Sequence, residues 1–178
     1  AITSKDADQL TVSDIVFRID DFDVGFSMKF EAGDWQLVPQ FDGSVRLNMT
    51  ENARWDLKFR DMYDERVEID VAQVNKDSFV VFDRQGDEVR SEYEWDSLRL
   101  DLLKVANDVE EIGKDQLQFS VTLKDISGST AFRQSDLNAS NESINIAAAW
   151  IELNVAPKEE DFRASLRSSL NDIVLSSN

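Results

Sequence analysis

Apolar and polar residues alternate along most of this chain, and period two is the signature of a strand that turns one face to a core. Ile15, Phe17 and Ile19 open the pattern, and Phe22, Val24, Phe26, Met28 and Phe30 resume it. Asp20-Asp21 separates the two runs, and paired carboxylates suit a turn or a bulge that shifts which residues face inward. Val45, Leu47, Met49, then Trp55, Leu57, Phe59, then Val67, Ile69, Val71 repeat the alternation. Phe79 to Phe82 reads as a short buried strand closed by the turn-like Asp83-Arg84-Gln85-Gly86-Asp87, after which Val89, Ser91, Tyr93 and Trp95 alternate again. Leu117, Phe119, Val121 and Leu123, and the run from Ile144 to Val155, complete the set. About eight short antiparallel strands at this spacing predict a β-sandwich or jelly roll.

Two segments depart from period two. Phe162, Leu166, Leu170, Ile173 and Val174 recur at intervals of three and four, which predicts an amphipathic helix over 157–175. Pro157 and the acidic Glu159, Glu160 and Asp161 are what a helix start favours. This helix is the expected cover for the strand from Ile144 to Val155, which is apolar on both faces over much of its length. Between Asp96 and Ile112, Leu98, Leu100 and Leu102 alternate as a strand does, whereas Leu98, Leu102, Val105, Val109 and Ile112 follow a helical stripe. The longer stripe predicts a strand through Trp95 followed by an internal helix. The polar stretches Ser127 to Thr130 and Ser135 to Ser143 read as long loops. No repeat and no low-complexity tract stands out, so residues 1–178 read as a single domain.

Composition narrows the chemistry. The 178 residues include no His and no Cys, so imidazole acid–base work, thiol or Ser/His nucleophiles, disulfides and zinc sites are unavailable. An apolar share of 42%, with 11 Phe and 4 Trp, is too high for a disordered chain and predicts folding without a cofactor. No apolar run approaches the roughly 18–20 residues of a membrane span, and Ala1 to Asp6 carries neither the basic region nor the apolar stretch of a signal peptide.

The net charge is −17, from 23 Asp and 13 Glu against 11 Arg and 8 Lys. Nucleic acid requires a basic surface, so it is not the expected partner, and an anionic membrane is disfavoured for the same reason. Such a carboxylate excess repels itself until salt screens it, which matches proteins of saline surroundings.

Candidate sites each meet a structural alternative. Asp20, Asp21 and Asp23 offer hard oxygen ligands for calcium, but Gly25 lies one place early for an EF-hand loop and Ala32 stands where the closing Glu belongs. Glu92 and Glu94 form a carboxylate pair of the kind glycosidases use, yet on one strand face they lie only about 7 Å apart and point outward. Trp35, Trp55, Trp95 and Trp150 could stack on sugars, although three of the four sit in phase with core positions. Sequons at Asn48, Asn138 and Asn141 lean toward an exterior setting.

The catalytic inventory is nearly empty, and neither cofactor nor metal is expected. The expected role is a non-enzymatic structural subunit of an extracellular or virion assembly, of the small jelly-roll capsid or tail-tube type, adapted to high salt. Its partners are then copies of itself and other structural proteins of the same particle, with Phe162, Leu166, Leu170, Ile173 and Val174 as assembly contacts. A carbohydrate- or cation-binding module and a carboxylate-based glycoside hydrolase are the alternatives.

Overall fold

Alternating residues joined by short polar turns pair most simply with their neighbours in sequence, and eight of the twelve ladders among the described residues do so. A computed structural model describes residues 2–6, 8–21, 25–60, 65–133, 136–156 and 163–177, with side chains for all of these but 2–6, 136–141 and 177. The described residues form twelve strands in one antiparallel sheet and no helix. The strands are β1 (Ile2–Asp6), β2 (Gln9–Asp21), β3 (Phe26–Pro39), β4 (Val45–Met49), β5 (Asn52–Arg60), β6 (Arg66–Lys76), β7 (Phe79–Gln85), β8 (Glu88–Asn107), β9 (Glu111–Gly113), β10 (Leu117–Arg133), β11 (Asp136–Val155) and β12 (Ala164–Ser177).

β4 and β5 lie end to end along β3, and β7 and β6 lie end to end along β8, with β4 paired to β7 and β5 to β6. The sheet is therefore a meander of eight rows: β2, β3, β4/β5, β7/β6, β8, β10, β11 and β12. β1 is added to the outer edge of β2 and β9 to the end of β8.

One residue in most rows leaves the pleat, and these residues line up as a seam across the sheet. Asp14 (φ 55°), Gly33 (69°), Asp77 (47°), Asp125 (48°) and Asp172 (54°) all adopt the left-handed conformation. Short side chains that bond locally, and Gly, tolerate that region best. The ladders resume beyond the seam in the same register: Lys124 opposes Ser97 and Ala148, and Ile126 opposes Trp95 and Ile146. Each skipped residue delays the alternation by one place, so the apolar side chains stay on one face. Phe17 below the seam and Trp35 above it accordingly touch, with ring centroids 5.7 Å apart.

Backbone bonds lost at the junction of β4 and β5 are replaced by two side-chain bonds and by one from the Asn75 backbone N–H. Thr50 Oγ1 donates to the Ala32 carbonyl at 2.8 Å, Asn75 Nδ2 donates to the Thr50 carbonyl at 3.4 Å, and the Asn75 amide donates to the Glu51 carbonyl at 2.6 Å. A side chain at Gly33 would run into Thr50 Oγ1, so this position needs glycine for both its φ and its space.

Several expectations change. Chain segment 164–177 is the edge strand β12, not part of a helix over 157–175, and residues 157–162 lie outside the described residues. The internal helix is absent: Asp96 to Asn107 continues β8 as strand. Ser127 to Thr130 lies within β10 and Asp136 to Ser143 within β11, so these polar stretches are strand and not loop. Asp20-Asp21 ends β2 before a hairpin connection, and the shift of facing occurs instead at Asp14 and Gly33. A short pattern does recur, as Val12-Ser13-Asp14-Ile15, Leu123-Lys124-Asp125-Ile126 and Leu170-Asn171-Asp172-Ile173.

The mainly β, antiparallel character is as expected, but among the described residues no second layer turns the sheet into a sandwich. Close backbone approaches between strands are confined to ladder neighbours, with a brief approach of β9 to β10. Among the described residues only Ala32, Leu47, Ile126 and Ala149 are buried apolar residues, and no large side chain is fully buried. The accessible surface is 12175 Å² for 20.3 kDa, whereas a globular protein of that mass exposes about 8,800 Å².

Candidate functional site: one apolar face

Residues opposite one another in a ladder share a face, so the pairings trace rows of side chains across the whole sheet. Leu10, Leu37, Leu47, Val80, Tyr93, Gly128, Ile144 and Leu175 form one row through all eight rows of strand. Below the seam, Phe17, Phe30, Trp55, Val71 and Leu102 form another, and Phe119, Leu153 and Leu166 continue it. Aromatic contacts knit this face laterally: Phe17 with Phe30 at 6.1 Å, Phe30 with Trp55 at 4.1 Å, and Tyr93 with Trp95 at 5.8 Å between centroids.

The few polar groups on this face are largely satisfied. Trp55 Nε1 donates to Gln73 Oε1 at 2.7 Å, and Gln73 Nε2 donates to Asn75 Oδ1 at 2.9 Å. Trp95 Nε1 finds no partner among the described residues. Gly128 leaves room for the Tyr93 ring, since a methyl group there would overlap both the ring and the Ser143 carbonyl. Burial raises the Tyr93 phenol above its ordinary pKa, and the Glu142 carboxylate adds to the effect.

The opposite face is charged. Arg54 pairs with Asp70 at 2.8 Å, Arg99 with Asp101 at 2.9 Å and Arg167 with Glu152 at 3.1 Å, while Lys29 pairs with Glu31. Glu68 accepts from Arg66 at 2.8 Å and lies near Lys58 and Lys104. Lys76 bonds Asp96 at 3.1 Å beside the seam, and that hydrogen bond, with the charges of Asp96 and Asp77, raises the lysine pKa. Two depressions, one lined by Arg99, Asp101, Lys114, Gln118, Glu152 and Asn154 and the other by Lys29, Glu31, Arg54 and Asp56, are shallow and polar.

The residues singled out from sequence are distributed as follows. Leu166, Leu170 and Ile173 stand on the apolar face of β12, opposite Leu153, Ala149 and Ile146. Val174 opposes Asn145 and stands on the other face, and Phe162 lies outside the described residues. Trp35, Trp55 and Trp95 belong to the apolar face, whereas Trp150 lies on the charged one under Lys124, 5.4 Å from its centroid. Glu92 and Glu94 share the charged face and are exposed. Asp20 and Asp21 end β2, with Asp23 outside the described residues, and no group of three acidic side chains among those described is placed to hold a metal ion.

What sequence reading missed is the continuity of the apolar face through the seam. Its signal was present, as a shift of one place in the alternation at each Asp.

Exposure is greatest where the face ends. Phe17 and Ile19 on β2 are 47% and 53% exposed, and Leu166 and Leu170 on β12 are 60% and 58% exposed. No protein-family model matches the chain, and no curated protein or solved structure matches it either.

Proposed function

We propose that this chain is a non-enzymatic assembly subunit that works by having its apolar face covered by another apolar surface. The observation that carries this reading is the face itself: a row of side chains crosses all eight rows of strand, largely apolar, and none of the described residues is laid over it. Soluble monomers rarely expose a contiguous apolar patch of more than a few hundred Å², and larger ones mark interaction sites. Most charged side chains lie on the other face; Glu142, two places from Ile144 on β11, is a described carboxylate that shares the apolar face, near its upper margin. The sandwich expected of a capsid or tube subunit requires a second layer, and a neighbouring chain would supply it. A charge of −17 suits saline surroundings, where screening relieves repulsion between such subunits.

The test is the double variant Leu166→Asp, Leu170→Asp. Both side chains are more than half exposed in the single chain, so folding of the chain tolerates the change, while burial of two unpaired carboxylates in a contact does not. Loss of higher-mass species, with the β-sheet circular dichroism retained, supports the reading. Unchanged association in the double variant overturns it.

A further inference from the structure

We infer that the occupant of the apolar face is the same face of a second copy, so that two single-layer sheets close into one two-layer sandwich. This rests on the reading above and specifies its partner. Seven ladder spacings of about 4.8 Å make the face roughly 34 Å wide, and the fourteen residues of β3 at about 3.3 Å each make it roughly 46 Å tall. The area is thus about 1,500 Å² per copy, against about 800 Å² per partner in a standard stable interface.

Shape selects the copy over other apolar partners. Sheets twist with one fixed hand, and two sheets of the same twist stack aligned about 10 Å apart with side chains interdigitated. A second copy has the matching twist by construction. A two-fold arrangement also makes the contact self-complementary and closed, so the pair does not grow into a filament.

Charge points the same way. Arg54, Asp70, Arg99, Asp101, Glu152 and Arg167 are on the opposite face, so stacking places them on the two outer surfaces, where they stay hydrated. An anionic bilayer, the other extended apolar partner, is repelled by the charge of −17.

The experiment is light scattering after size exclusion on the full chain, at about 0.1 M and about 1 M salt, for the unaltered protein and three variants. Leu100→Lys places a charge near the centre of the face, Leu170→Lys places one at its exposed margin, and Thr122→Lys places one on the charged face. The margin variant keeps the test usable if the central one does not fold. The expected result is twice the 20.3 kDa chain mass for the unaltered protein and Thr122→Lys, with at least tenfold weaker association for Leu100→Lys or Leu170→Lys. A chain that stays monomeric overturns the inference. If that monomer takes up a long-chain fatty acid, blocked by Leu170→Lys, the covered-face reading survives with an acyl occupant. If it takes up nothing, both fall. Association equally unaffected by lysine on either face overturns the face-to-face arrangement.

Discussion

Leu123 and Ile126 stand on the same face of β10 although they are three positions apart, because Asp125 between them turns to φ 48° and drops out of the pleat. Side chains in an uninterrupted strand share a face only at even separations. The seam residues are therefore what keeps the apolar rows above and below the seam on one face.

Conformation, more than side-chain chemistry, is what position 125 requires. Asp125→Gly is expected to change stability by no more than about 0.5 kcal/mol, whereas the β-branched Asp125→Val is expected to cost about 1–2 kcal/mol. Urea unfolding of the two variants separates them. Equal stability would show that the left-handed turn is not required.

Space is the issue at Gly128. Gly128→Ala pushes a methyl group into the Tyr93 ring and the Ser143 carbonyl, and overpacking of this kind costs about 1–3 kcal/mol. Adding Tyr93→Ala relieves the ring overlap but not the carbonyl one, so the double variant is expected to lose less than the sum of the two single changes. Strict additivity in thermal melts would mean that the ring does not lie over the glycine.

Alkaline pH tests the same tyrosine. Its pKa is raised by burial first and by Glu142 second. A raised folded pKa leaves stability intact below the unfolded value and erodes it as pH climbs toward the folded one. Stability is therefore expected to decline from about pH 10 upward, and Tyr93→Phe is expected to flatten that decline. Parallel melting curves for the two proteins above this pH contradict the assignment.

The strands were largely legible, since period two is a direct consequence of the pleat. The two segments read as helix share one physical cause. In β12 the face is held by Leu166, Leu170 and Ile173, where Ser168 occupies one position and Asp172 is skipped, so a strand acquires intervals of four and three. In β8 the register slips by one where Asp70 pairs with Lys104 and Val71 with Leu102, so Leu98, Leu102 and Val105 imitate the same helical stripe. Ladder register told these apart from helices; spacing alone did not. The missing second layer had no signal in the alternation, which marks a face as apolar without saying what lies over it.

Val174 and Leu170 offer the most direct measurement, because they sit on one edge strand with opposite facing. In the single chain they are 66% and 58% exposed, so exposure within the chain scarcely distinguishes them. The protein has no cysteine, and Val174→Cys and Leu170→Cys each introduce one thiol whose rate of reaction with a water-soluble maleimide reports its access to solvent. A covered apolar face predicts that the thiol at 174 reacts at least tenfold faster than the thiol at 170, and that unfolding in urea makes the two rates equal. Equal rates in the folded protein would contradict it.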